Sequence, residues 1–259
     1  IQRQILSEPL QTPDTRPINL GERPWEAPNP GDSYTLSVSV CAGPSYTCAI
    51  LDNGDLKCWG DARLSSDLVH NGNKKWPSKP IDLGENRTAA AVSCGYDHTC
   101  VILDNGDLKC WGSDQFGQLG DGGTTNTDTN APSLTPIDLG TGRTAVAVSC
   151  GVFFSCAILD NGELKCWGYN GQGTLGTGDS ISTNAPSSTP IDLGTGRTAV
   201  MIAAGPSHAC AILDNGDMKC WGINNDGQLG DGRTSVHHTF ESSPVLVVGN
   251  DIWDATDTE

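Results

Sequence analysis

Apolar and polar positions along this chain come in short bursts rather than long periodic runs. Around Cys100 the apolar segments are "PIDL", "AAAVSC", "HTCVIL" and "LKCW", each a few residues long and set off by Gly, Pro or Asn-Gly breaks. Runs of that length between turn formers predict β-strands, and no longer stretch carries a helical period. The expected fold is all-β.

The bursts repeat. "CAILDNGDLKCWG" begins at Cys48, and near-copies begin at Cys100, Cys156 and Cys210, at intervals of 52, 56 and 54 residues. Upstream of the later copies stand "KPIDLGENRTAAAVSCG", "TPIDLGTGRTAVAVSCG" and "TPIDLGTGRTAVMIAAG", with a looser version opening the chain. After the last copy, "SPVLVVGNDIWDATDTE" begins a fifth unit that stops. Such a period marks a propeller, solenoid or array, in which a sheet buries its faces only when neighbours stack on it. The expected organisation is an extension with a partial repeat at 1–34, four repeats at 35–250 and an acidic tail at 251–259. The hairpins fall at 48–60, 100–112, 156–168 and 210–222.

Asn-Gly between apolar runs predicts a hairpin of one of two loop lengths. A two-residue loop would set Ala49 opposite Cys58. The three-residue loop Asp52-Asn53-Gly54 sets Cys48 opposite Cys58 and needs only Gly54 in the left-handed region, which favours it. The expected bridges are Cys48–Cys58, Cys100–Cys110, Cys156–Cys166 and Cys210–Cys220, each contributing at most about 3 kcal/mol. Three cysteines remain, Cys41, Cys94 and Cys150, in the strand before the hairpin, and the fourth repeat has Ala204 at the position matching Cys94 and Cys150. Cys94–Cys150 is the expected link between repeats, leaving Cys41 free or intermolecular. Zinc on Cys94, Cys100 and Cys110 is the competing reading, weakened because no Cys-x2-Cys pair occurs.

Composition narrows the classes. Apolar residues make up 36%, with 32 Gly and 15 Pro, as many short strands and tight turns require. A net charge of −16 argues against nucleic acid and against an anionic membrane surface. No run of about 18 apolar residues exists to span a bilayer. Eleven regularly spaced cysteines point to disulfides and export. The opening at Ile1, without a charged-then-apolar leader, reads as a processed terminus.

The segment "DHTCVILDNGDLKCWGSDQFGQLGDG" (97–122) resembles the repeat of the regulator of chromosome condensation family, in the cysteine-bearing form of bacterial exported proteins. The likeness covers about residues 35–250. It implies a β-propeller of about four blades, each a four-stranded antiparallel sheet. Family propellers usually close with seven blades, so an incomplete or open ring is expected. The first repeat lacks the "GQLGDG" segment. The eukaryotic founders act on a small GTPase and on chromatin, and another relative type inhibits β-lactamases, so the fold alone assigns no task.

The four copies form an internal substitution series. Trp59, Trp111, Trp167 and Trp221 never vary, as a packing aromatic between blades would require. The position of His98 is Tyr46, Phe154 and His208 elsewhere, which argues for packing over base catalysis. Asp52, Asp104, Asp160 and Asp214 are expected to cap their own turns. The loops "SDQFGQLGDGG" and "NNDGQLGDGR" offer oxygen ligands to calcium but lack the alternation of a known calcium loop. Otherwise no cofactor is expected. No nucleophile elbow or phosphate loop occurs, and the aberrant stretch 61–80 offers only Asp67, His70 and lysines, so no catalysis is expected. His237 and His238 read as exposed loop residues. Asn86 heads a possible glycosylation sequon.

Two non-enzymatic readings follow. One is an extracellular, disulfide-stapled structural subunit that assembles with copies of itself, head-to-tail, into a filament or surface layer through open sheet edges and terminal segments. The other is a secreted monomeric module that recognises a protein or glycan, or inhibits an enzyme, through a loop face formed by 61–80, 113–135 and 169–189.

Overall fold

The computed structural model describes residues 39–60, 79–123, 129, 131–232 and 240–247. The chain divides into two units, Ile1–Tyr34 and Thr35–Glu259, and all described residues lie in the second.

Thirteen strands and no helix occur among the described residues. The first blade is β1 (Val40–Ala42), β2 (Tyr46–Ile50) and β3 (Leu56–Gly60); the second is β4 (Ala89–Cys94), β5 (His98–Leu103) and β6 (Leu108–Gly112). The third is β7 (Ala145–Cys150), β8 (Phe154–Leu159) and β9 (Leu164–Gly168). The fourth is β10 (Ala199–Ala204), β11 (His208–Leu213), β12 (Met218–Ile223) and β13 (Phe240–Leu246). Each is an antiparallel meander in chain order.

Only the fourth blade has a fourth described strand. In the second and third, the outer segment meets its neighbour at single bridges, Gly112–Thr129 and Gly168–Thr183. In the fourth blade, β13 pairs with β12 from Ile223–Phe240 to Lys219–Leu246, with a register shift between Cys220 and Gly222. The hairpin loops have three residues. Ile50 pairs with Leu56 and Cys48 with Cys58, and Gly54 sits at φ 81°.

Alternate side chains of the middle strands β5 and β8 serve two different blade junctions. Tyr46, Cys48 and Ile50 pack against Val101, Leu103 and Trp111 of the second blade. The opposite face of that blade, with Cys100 and Ile102, packs against Ala157, Leu159 and Trp167 of the third. The third junction repeats the arrangement with Trp221. β5 and β8 are therefore buried along their whole length, which is why "HTCVIL" reads as a continuous apolar run.

The inner strands pack β1 on β4, β4 on β7 and β7 on β10, with no comparable return contact from β10 to β1. The described blades form an open series.

Trp167 and Trp221 each plug a socket in the blade before it. Trp167 Nε1 donates to Gln118 O and Trp221 Nε1 to Thr174 O, both at 3.0 Å. A methyl group on Gly120 would lie 2.4 Å from Trp167 Nε1. Glycine in "GQLG" is thus what admits the indole ring.

Candidate recognition face

His98 lies opposite Gly112 and Phe154 opposite Gly168. The inner-to-middle turns and the segments after β6 and β9 therefore emerge at the same end of the blades. Four aromatic rings meet there. Phe116 lies 4.8 Å from Phe153 and 5.2 Å from Tyr169, and Tyr96 lies 6.5 Å from Phe153, centroid to centroid. Tyr96, Phe153 and Phe116 are 47%, 37% and 36% exposed, although such rings are usually buried.

The scaffold under these rings is tightly determined. Tyr169 N donates to Phe153 O at 2.8 Å and Val152 N to Pro206 O at 3.3 Å. The loop carrying Phe116 is held by Leu119 N donating to Asp114 Oδ1 and Phe116 N to Gln118 Oε1. A groove of about 350 Å³ opens beside the rings, lined by Phe116, Phe153, Phe154 and Tyr169 with Gln172, Thr174, Pro206 and Ser207. The lining offers ring faces, an amide and hydroxyls, a chemistry suited to contact and hydrogen bonding rather than proton transfer.

The sequence carried a faint signal for this site. The turn reads Gly-Pro-Ser in the first and fourth repeats but Gly95-Tyr96-Asp97 and Gly151-Val152-Phe153 in the middle two. Nothing in that spacing shows that Phe116 and Tyr169 arrive beside them. Residues 61–78, with Asp67 and His70, lie outside the described residues, as do His237 and His238.

The cysteines form five disulfides among the described residues. Cys48–Cys58, Cys100–Cys110, Cys156–Cys166 and Cys210–Cys220 staple the hairpins, with Cα separations of 4.0–4.1 Å. The fifth corrects the sequence expectation. Cys94 pairs with Cys41, at a Cα separation of 5.4 Å, and not with Cys150. Cys41 lies opposite Cys48 as Ser93 lies opposite Cys100, whereas Cys94 lies opposite Thr99, so Cys41 stands one register position earlier than Cys94 and meets it across the first junction; once bonded to β1, Cys94 has no sulfur valence left for β7. Cys41 is therefore not free. Cys150 is the free thiol, buried, donating to Ser93 O, with its pKa pushed up to about 11 by burial. Cys94, Cys100 and Cys110, the alternative zinc ligands, are all bonded within disulfides.

His98 is a junction residue. Its Nε2 lies 2.9 Å from Ser155 Oγ of the next blade, and burial lowers its pKa to about 4. Tyr46 OH accepts from Thr99 Oγ1 at 3.1 Å in the same way. Where the aromatic is Phe154, the facing position is Ala209 and needs no hydroxyl. The two positions vary together across each junction.

Asp104, Asp160 and Asp214 do not cap their own turns. Asp104 Oδ1 accepts from Thr88 N, and Asp104 pairs with Arg87 at 3.4 Å, because its side chain faces the segment entering β4. The turn itself is capped by Asn105 Oδ1, which accepts from Asp107 N. In the proposed calcium loops, Asp114 and Asn224 likewise accept backbone amides, from Leu119 and Leu229. No three loop carboxylates converge at ligand distance among the described residues. Asn86 is exposed at φ 56°, where the later repeats have Gly142 and Gly196 at φ 68° and 69°. The left-handed turn accounts for the residue type, since Asn tolerates it better than other side chains.

The Regulator of chromosome condensation (RCC1) repeat matches residues 38–63, 89–118, 145–174 and 200–228, and a second profile of that repeat matches 105–158 and 161–212. The chain belongs to the RCC1-repeat family. Among curated relatives, it is 32% identical over 208 residues to the mitochondrial RCC1 domain-containing protein RUG3 of Arabidopsis thaliana, covering 77% of this chain and 45% of that one. It is 29% identical over 213 residues to the E3 ubiquitin-protein ligase HERC2 of Homo sapiens, covering 81% of this chain but 4% of the ligase. Human WBSCR16 matches its fold at a TM-score of 0.64 and 22% identity, covering 83% of this chain and 54% of that one. Yeast RCC1 (Prp20), in complex with Kap60, matches at a TM-score of 0.63 and 20% identity, covering 79% and 48%. The chain spans less than half the length of these curated relatives. The structural likeness establishes the RCC1-type propeller fold. No helix among the described residues is long and apolar enough to cross a membrane, and the disulfides fit an oxidising environment.

Proposed function

We propose that this RCC1-repeat chain is a non-catalytic extracellular recognition module whose aromatic groove binds a cationic segment of another protein. The observation that carries the reading is the row of exposed rings Tyr96, Phe153 and Phe116, backed by the half-buried Tyr169, on rigidly tied turns. Exposed clustered aromatics mark contact surfaces, and they supply large contact area with few rotatable bonds to immobilise. The charge of the partner follows from complementarity. The chain carries 31 acidic against 15 basic side chains, which steers cationic ligands and disfavours acidic ones. Arg or Lys side chains also stack on the faces of Tyr and Phe.

The test is fluorescence-anisotropy binding to a panel of arginine- and lysine-containing peptides, with acidic peptides as controls. Binding of basic peptides that weakens with salt, and falls at least about tenfold in the Phe116→Ser/Phe153→Ser double variant, supports the reading. Equal binding by the double variant, or no preference for basic over acidic peptides, removes it.

A further inference from the structure

The two terminal blades present opposite halves of one interface. At each internal junction, the disulfide face of one blade meets the tryptophan face of the next, and the participating residues are buried. Trp111, Trp167 and Trp221 are fully buried, whereas Trp59 of the first blade is half-buried. Thr99, Ser155 and Ala209 are fully buried, whereas their counterpart Thr47 is half-buried. Among the described residues no blade packs on the tryptophan face of the first blade, where Ala49 is buried but Thr47 and Trp59 are not.

The fourth blade shows the unused counterpart. His98, Cys100 and Ile102 are buried, as are Phe154, Cys156 and Ile158, but His208, Cys210 and Ile212 are half-buried. β11 alternates between buried and half-buried positions, unlike β5 and β8. The socket follows the same pattern. Gln118, Gly120, Thr174 and Gly176 are buried beneath an indole, whereas Gln228 is half-buried and Gly230 is exposed. At Gly120 and Gly176 an added methyl would meet the indole of the next blade, but at Gly230 it meets only the side chain of Val247, at 3.0 Å. Gly106 and Gly162 lie against Thr144 and Thr198 of the following blade, and Gly216 has nothing within 4 Å.

We infer that the fourth blade of one molecule receives the first blade of a second copy, head to tail. Trp59 enters the socket of Gln228 and Gly230 as Trp167 enters that of Gln118 and Gly120, with Val247 moving aside. The occupant is specified by matching as well as by shape. Aromatic and hydroxyl positions correspond across every internal junction, Tyr46 with Thr99, His98 with Ser155 and Phe154 with Ala209. The leftover pair, His208 and Thr47, is again an imidazole and a hydroxyl, so a second copy supplies the partner that His208 lacks. Because donor and acceptor surfaces differ, the contact is heterologous, and it either closes a ring or extends a filament.

The experiment is mass measurement by light scattering on the oxidised chain across a concentration series. A mass that rises with concentration to a dimer or beyond is expected. Trp59→Ala removes the plug, Gly230→Ala places a methyl in the socket, and each variant alone is expected to be monomeric. Mixed in equal amounts they should form a heterodimer and nothing larger, because the plug of one remains matched to the socket of the other. Ile212→Asp, at a position half-exposed in the single copy, serves as a second socket block should Gly230→Ala fail to fold, and Thr47→Asp serves as a second plug block. A monomer at every concentration overturns the inference. So does self-association that the variants leave unchanged, or a mixture that stays monomeric. Loss of peptide binding in the aromatic groove has no bearing on this outcome.

Discussion

Replacing Trp167 by alanine tests the junction logic most directly. The indole is fully buried between the second and third blades, and removing it takes away a large apolar contact and leaves a cavity. Such truncations cost about 3–5 kcal/mol. The Gln118 carbonyl also accepts from Ser155 Oγ at 2.9 Å, so loss of the indole N–H does not orphan it. Trp167→Phe should therefore cost only about 1 kcal/mol for the hydrogen bond, plus a small packing defect. Trp59→Ala removes the same residue from a half-exposed position and should cost about half as much or less, since less apolar area is withdrawn from water. The assay is guanidinium unfolding of the dilute, oxidised protein, comparing midpoint and slope. Stacked repeats are coupled through nearest-neighbour interfaces, so Trp167→Ala should also flatten or split the transition, while Trp59→Ala shifts it intact. If Trp59→Ala destabilises as much as Trp167→Ala, or if Trp167→Phe equals Trp167→Ala, burial at the blade junction is not the source of stability.

Three other outcomes follow. His98 has a folded pKa of about 4 against an ordinary value of 6.5, so the unfolded state binds the proton first; its stabilising contribution is complete above about pH 6.5 and is lost as pH falls towards about 4, by up to about 3 kcal/mol. The double variant His98→Phe/Ser155→Ala, which copies the Phe154 and Ala209 junction, should flatten that part of the stability–pH curve relative to the parent, as read by thermal unfolding. Cys150 should resist alkylation at neutral pH in the folded protein and take up one equivalent of iodoacetamide in denaturant, read by mass spectrometry; rapid native labelling would contradict its burial. Cys41–Cys94 closes a loop of 53 residues, so Cys41→Ser/Cys94→Ser should lower stability by about 4 kcal/mol, and this bridge between two half-buried cysteines should be reduced by mild thiol before the buried bridges Cys48–Cys58, Cys100–Cys110 and Cys156–Cys166, as peptide mapping would show.

The legible parts of the fold were those written in local sequence. The register of each hairpin follows from Asn-Gly, because only glycine adopts the φ of 81° at Gly54 without strain. The invariance of Trp111, Trp167 and Trp221 followed from packing, and so did the exchange of Tyr46, His98 and Phe154. Less legible was anything set by which repeat stands next to which. Cys94 and Cys150 occupy one repeat position while Cys41 stands one place earlier, where the later repeats have Ser93 and Ser149, and only the stacking of the blades shows that Cys94 meets Cys41. Asp104 looked like a turn cap until Thr88 and Arg87 were found folded against it.

Strand boundaries, turn type and the need to stack were thus determined by the sequence itself, since they depend on residues within a few positions of one another and on a repeated apolar pattern. The tertiary structure decided which sulfurs meet, that Tyr96, Phe116, Phe153 and Tyr169 share a face, and that Trp59 and Gly230 are left over where their counterparts are buried. Those facts depend on residues some 20 to 170 positions apart, whose proximity is fixed by blade-to-blade packing, and no local propensity encodes it.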